Sequence, residues 1–110
     1  MPEALPPFTS DTFEDEVLKS EIPVLVDFGA TWCGACRALA PTLTELAKEY
    51  EGRVKFGAVD ADADSGLLSK YGVSALPTVV IFVGGKEHSR SVGVVSRTKL
   101  RSMLDSALSQ

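Results

Sequence analysis

The spacing of apolar positions changes period along the chain, and each change marks an element. VLVDF, residues 24–28, is apolar throughout except at Asp27, as expected of a central strand covered on both faces. After it, Leu39, Leu43, Leu46, Ala47 and Tyr50 recur at helical spacing until Gly52 stops the pattern. Pro41 lies inside that run, where it loses a hydrogen bond and crowds the carbonyl four residues back at a cost of about 3 kcal/mol. The apolar spacing continues past it, so a bend is expected there and not a break. VKFGAV, residues 54–59, reads as a second strand, and SGLLSKYG as a short helix or turn. TVVIFV, then Gly84-Gly85, then KEHSRSVG reads as a hairpin with a two-residue turn. Ser96 opens a last helix whose Leu100, Met103, Leu104, Ala107 and Leu108 form one stripe. Ahead of the first strand, DTFEDEVL has Asp11 three residues before Glu14, a capping-box-like start, with Phe13, Val17 and Leu18 on one face. The prolines of residues 1–7 make an extended lead-in.

The order is therefore strand, helix, strand, helix, hairpin, helix. A right-handed parallel crossover over residues 24–59 and an antiparallel hairpin give a mixed sheet. The fold class is α/β, a central mixed β-sheet with helices on both faces. With 110 residues and no internal repeat, one domain over 1–110 is expected.

Charge then removes several functions. The formal net charge is −4 and the eleven basic residues are scattered, so no nucleic-acid partner is indicated. MPEALPPFTS has neither a basic n-region nor a long apolar stretch. The longest nearly apolar run, Ala75 to Val83, is too short to cross a bilayer. A cytoplasmic protein is expected, although an organellar or exported form with its leader removed would read the same. A monomer is expected.

The chemistry is concentrated in TWCGACR, residues 31–37, which holds both cysteines. A structural zinc needs four ligands, and the chain offers Cys33, Cys36 and His88, the last in a polar hairpin strand. A structural staple over so short a loop removes little unfolded-state entropy. Reversible redox chemistry remains. Cys33 follows a strand at the first turn of a helix, where unpaired N–H groups and the dipole favour a thiolate, and Arg37 adds positive charge. Cys36 lies about one turn deeper, within bonding reach of Cys33. That makes Cys33 the attacker on a substrate disulfide and Cys36 the resolving thiol. Gly34 and Ala35 are small enough for another protein's backbone to approach the sulfur. Asp27 cannot be cheaply buried while ionised, so its pKa should rise unless it is salt-bridged or faces the rim.

VDFGATWCGACRALAP resembles the active-site segment of the thioredoxin family. KYGVSALPT resembles that family's second signature, GGK its hairpin turn, and VGVVS the glycine before its last helix. The resemblance covers about residues 8–108. It implies the thioredoxin fold, with Cys33 and Cys36 as a redox-active disulfide pair and Trp32 as the aromatic residue lining the site. It implies that Leu76-Pro77 forms the loop whose proline is cis and faces the cysteines, offering backbone to an extended client peptide. Gly93 and Val94 would complete the groove, and Asp27 would relay the proton of Cys36.

The implied function is protein-disulfide reduction by dithiol–disulfide exchange. The implied partners are disulfide-containing client proteins and a thioredoxin reductase, a flavoprotein drawing on NADPH, with no cofactor bound to the chain itself. An oxidase or isomerase running the same exchange in reverse, and a non-redox binding module using the same groove, are the alternatives.

The chain departs from the family at three places. Ala35 replaces the usual proline between the cysteines, which should give a less reducing couple. Gly29 stands where an aromatic is common, and Ala58 where a lysine is frequent, so Asp27 should titrate higher still. DADADSG, residues 60–66, imitates a calcium loop, but its glycine falls one place late and Tyr71 stands where glutamate is required. A solvated acidic turn is expected.

Overall fold

The computed structural model of the chain describes residues 5–110, so the first residues of the lead-in lie outside the described part. Four strands form one sheet in the order β2-β1-β3-β4: β1 Val24–Gly29, β2 Lys55–Asp60, β3 Thr78–Val83 and β4 Lys86–Val92. The β1–β2 pair is parallel, with Asp27 opposite Ala58, while β1–β3 and β3–β4 are antiparallel. The expected mixed sheet is present.

Period-two alternation divides the sheet into two cores. Leu25, Val79 and Ile81 point to one face, where they meet Leu39, Leu43 and Leu46 of α1 (Gly34–Glu49) and Leu100 and Leu104 of α3 (Arg97–Leu108). Val24, Val26, Phe28, Val80 and Phe82 point to the other, against Phe13, Val17 and Leu67 of α2 (Ser65–Lys70). Both central strands are covered on both sides, which is why their sequences run apolar without a break. Asp27 falls on the α1 face by this alternation, the exception in an apolar strand.

The helix α1 runs unbroken through Pro41. Gly52, at φ 84°, takes the left-handed conformation that follows the helix end. Ser96 caps α3 by accepting the Lys99 amide at 3.1 Å. Gly84 and Gly85 both have positive φ, as the two-residue hairpin turn requires.

One local reading is corrected. Asp11 does not cap the first helical segment; Thr9 and Thr12 exchange side-chain and backbone hydrogen bonds there instead, at 3.0 and 3.3 Å. That segment, Glu14–Leu18, is a π-type turn closed by the Lys19 amide on the Glu14 carbonyl. The lead-in is extended, and it is also paired. The Phe8 amide donates to the Ala58 carbonyl at 2.8 Å and the Ala58 amide to the Pro6 carbonyl at 2.9 Å. Proline is tolerated on such an outer edge because its missing N–H faces away from the ladder. Phe8 is buried, its ring lying over the bare α-carbon of Gly57. The opposite edge, β4, is exposed and carries Lys86, Glu87 and Arg90, charges that discourage further strand pairing.

Candidate functional site

Strand register brings the site together at one end of the sheet. Gly29 ends β1 beside Asp60 at the end of β2, while Thr78 opens β3 opposite both Phe28 and Val92. The 30–33 loop, the Leu76-Pro77 loop and the 92–94 segment therefore all leave from that end, outside the carboxyl ends of the parallel strands. The Gly93 amide donates to the Pro77 carbonyl at 2.8 Å, and the Leu76–Pro77 peptide bond is cis. Pro77 is buried and Leu76 half-buried, whereas among the described residues Trp32, Val92 and Val94 are the large apolar side chains left exposed, at 65%, 60% and 60%.

Cys33 is the N-cap of α1. Its backbone is extended, and its sulfur accepts the Cys36 amide at 3.2 Å, so a thiol occupies the place usually held by a hydroxyl or carboxylate. Both thiols are free. The Cys33 thiol is held below its ordinary value, first by its hydrogen bond with the Cys36 side chain. The amides of Cys36 and Ala35 and the charge of Arg37 add to this, and burial opposes it. Arg37 is fixed by donating to the Thr31 carbonyl at 2.8 Å. Burial pushes the Cys36 thiol up to about 11, helped by the hydrogen bond with Cys33 and by the negative charges of Cys33 and Asp27, against the Ala30 amide. The two sulfurs are driven apart in acidity.

Among the described residues Asp27 has no ion-pair partner, and its Oδ1 is buried without a hydrogen bond. Burial pushes its carboxyl up to about 6. Gly29 explains how Asp27 and Cys36 come together. A Cβ on Gly29 would lie 3.2 Å from Cys36 Sγ and 3.8 Å from Asp27 Oδ1, so both groups face the bare α-carbon.

The acidic turn is more than solvated. Asp62 accepts the indole N–H of Trp32 at 2.9 Å, and the Asp60 carboxylate takes the Asp62 amide, also at 2.9 Å. Asp64 accepts both the amide and the hydroxyl of Ser10. Nothing local in the sequence links Trp32 to a carboxylate thirty residues on. Among the described residues no three His, Cys, Asp or Glu side chains gather to hold a metal. His88 lies half-buried within hydrogen-bond distance of the Ser106 hydroxyl, away from the cysteines.

A strand-end site with one cap thiol of lowered pKa and one half-buried partner of raised pKa defines a dithiol–disulfide exchange protein. The thioredoxin family model matches residues 4–106. Thioredoxin 1 of Nostoc sp. is 45% identical over 91% of this chain and 94% of its own length. The thioredoxin of Synechocystis sp. is 43% identical over 96% and 98%, and that of Allochromatium vinosum 45% identical over 89% and 92%. The chain belongs to the thioredoxin family. It is a thiol–disulfide oxidoreductase, of the protein-disulfide reductase class.

Proposed function

We propose that the Cys33 thiolate attacks a client protein's disulfide, forming a Cys33–client mixed disulfide and releasing one client thiolate. Cys36 then loses its proton to Asp27 and attacks Cys33 Sγ. The Cys33–client bond breaks, the second client thiolate leaves and takes up a proton, and a Cys33–Cys36 disulfide remains. Two electrons have passed from the dithiol to the client. A thioredoxin reductase, a flavoprotein supplied by NADPH, returns them, and the chain binds no cofactor of its own. Trp32, Gly34, Ala35, Leu76, Pro77, Gly93 and Val94 form the client groove, with the backbone beside Pro77 pairing to an extended segment. The protein acts as a monomer in the cytoplasm; among the described residues no helix is long and apolar enough to cross a membrane.

The observation that supports this most is the set of donors on Cys33 Sγ, which stabilises a thiolate at the end of the molecule where client backbone can approach. Reduction of insulin with NADPH and a thioredoxin reductase tests it. Activity lost in Cys33→Ser is expected, and activity kept in that variant would refute the scheme. An equilibrium redox titration separates a reductase from an oxidase or isomerase.

A further inference from the structure

An extra residue in β4 decides where two charged side chains point. Ile81 pairs with Ser89 and Phe82 with Glu87, so His88 is left over as a β-bulge. In a regular strand Glu87 and Arg90, three residues apart, would face opposite sides of the sheet. The bulge puts both on one side, opposite Phe82 and Val80, in the core that also holds Phe13 and Leu67. That is the side of α2, and Arg90 reaches its C-terminal end.

There the guanidinium is held from two directions. Its Nε and one terminal nitrogen donate to the two carboxylate oxygens of Glu87, each at 2.7 Å, a bidentate pair. The same terminal nitrogen donates to the Tyr71 carbonyl at 2.7 Å, and the other to the Gly72 carbonyl at 3.4 Å. Tyr71 is the C-cap of α2, so Arg90 serves carbonyls that the helix end leaves open. Both charged side chains are partly buried, and the bond from Arg90 holds the Glu87 carboxyl below its ordinary value. A bidentate pair that also bonds to backbone fixes a geometry, which an exposed ion pair does not.

The backbone it fixes leads to the client groove. Gly72, at φ 65°, turns the chain out of α2 into the segment that ends at Pro77. At the far end the Gly93 amide donates to the Pro77 carbonyl, and in between the Thr78 hydroxyl donates to the Ala75 carbonyl at 2.6 Å. The chain of β4 and its continuation thus grip this segment twice, through Arg90 where it starts and through Gly93 where it ends.

We propose that Arg90, oriented by Glu87, is a positioning residue for client binding. It fixes the start of the 72–77 loop, so that the backbone beside Pro77 is in place before an extended client segment pairs with it. The inference rests on the reading of that loop as part of the client groove. Arg90 lies on the α2 side of the sheet, whereas Cys33 and Cys36 open α1 on the other, so its effect falls on client affinity and not on the exchange chemistry.

The test uses the full-length, fully reduced protein and needs no reductase. It is mixed with rising concentrations of insulin and quenched in acid, and its oxidation is read by mass after alkylation. Arg90→Met keeps the apolar stem and removes the fork; the half-saturating insulin concentration is expected to rise about fivefold, the loss of one anchoring hydrogen-bond set. The rate at saturation, and the rate with dithiobisnitrobenzoate, a disulfide too small to need the groove, are expected to stay unchanged. Arg90→Lys keeps the charge but cannot span Glu87 and two carbonyls, so it should not restore wild-type affinity. Glu87→Ala should weaken insulin binding too, and add nothing to Arg90→Met in the double variant, because it acts through Arg90. With no client present, hydrogen exchange of the Gly93 amide should be faster in Arg90→Met, since the loop that accepts it is loosened. Dispersed amide spectra show which variants fold, and Arg90→Lys carries the test if Arg90→Met does not. The proposal is overturned by an unchanged half-saturating concentration, by wild-type affinity in Arg90→Lys, by a parallel fall in the small-disulfide rate, by full additivity of the two substitutions, or by unchanged Gly93 exchange. Should the wild-type protein leave insulin unreduced, the functional reading fails instead, and the Gly93 exchange alone decides whether Arg90 holds the loop.

Discussion

The backbone amide of Cys36 points at the sulfur of Cys33 across 3.2 Å, so the resolving residue stabilises the thiolate of the attacking one. The cap position gives Cys33 this donor; one turn further in, Cys36 has burial instead. A single helix start thus makes two chemically different thiols from two identical side chains.

Ala35 contributes its own amide to this arrangement. Ala35→Pro removes that N–H, weakening stabilisation of the Cys33 thiolate, and stiffens the first helical turn. Both effects disfavour the dithiol relative to the disulfide. The midpoint potential is expected to fall by about 30 mV, a tenfold change in equilibrium. A redox titration against glutathione that found the potential unchanged or raised would remove Ala35 as a determinant.

Asp27 makes stability depend on pH. Its carboxyl titrates near 6 in the folded protein against an ordinary 3.8, so the folded state keeps a proton that the unfolded chain releases between those values. The Asp27 contribution to the unfolding free energy should be greatest below pH ~4, fall by about 3 kcal/mol as pH rises to ~6.5, and then level off. Urea unfolding of Asp27→Asn should show no such fall. Ala58 stands opposite Asp27 in the parallel register, so the ammonium of Ala58→Lys should draw the Asp27 titration below 6. Carboxyl shifts of Asp27 in the two proteins measure this, and equal values would contradict it.

Gly57 tests the seat of the lead-in. A Cβ there would meet the Phe8 ring at 2.3 Å, and Phe8 has little room to move because it is buried against Phe13. Gly57→Ala is expected to cost about 1–3 kcal/mol, read as a lower urea midpoint at unchanged slope. No loss would mean that residues 5–8 can leave β2 freely.

The sequence carries a single tryptophan, so its fluorescence reports the site directly. Asp62→Ala removes the acceptor of the Trp32 indole N–H. Lower fluorescence anisotropy and a higher KM for client reduction are expected, with stability changed by less than about 1 kcal/mol because the bond is exposed. Unchanged anisotropy would show that packing alone holds the ring.

What was legible in the sequence is what short-range pattern encodes. VLVDF and TVVIFV announced central strands because burial on both faces leaves only apolar residues, and Asp27 stood out for the same reason. The spacing of Cys33 and Cys36 placed both in the first turn of a helix. Contacts between distant segments were not legible. Trp32 with Asp62, Phe8 over Gly57, and the pairing of Pro6 and Phe8 with Ala58 depend on the register of strands that the sequence pattern does not align. The proline-rich start read only as extended; its pairing could not be read, because proline cannot donate, yet its carbonyls still accept. Gly29 and Ala58 stood out as departures from the family, but only the fold puts both beside Asp27.

The asymmetry of the two thiols is tested most directly by rate-resolved alkylation. The fully reduced protein is treated with limiting iodoacetamide at pH 7, and the label is located by peptide mass analysis. Cys33 should carry nearly all of it at early times, since its pKa is lowered while that of Cys36 stands near 11. Label arriving first or equally on Cys36 would contradict the account.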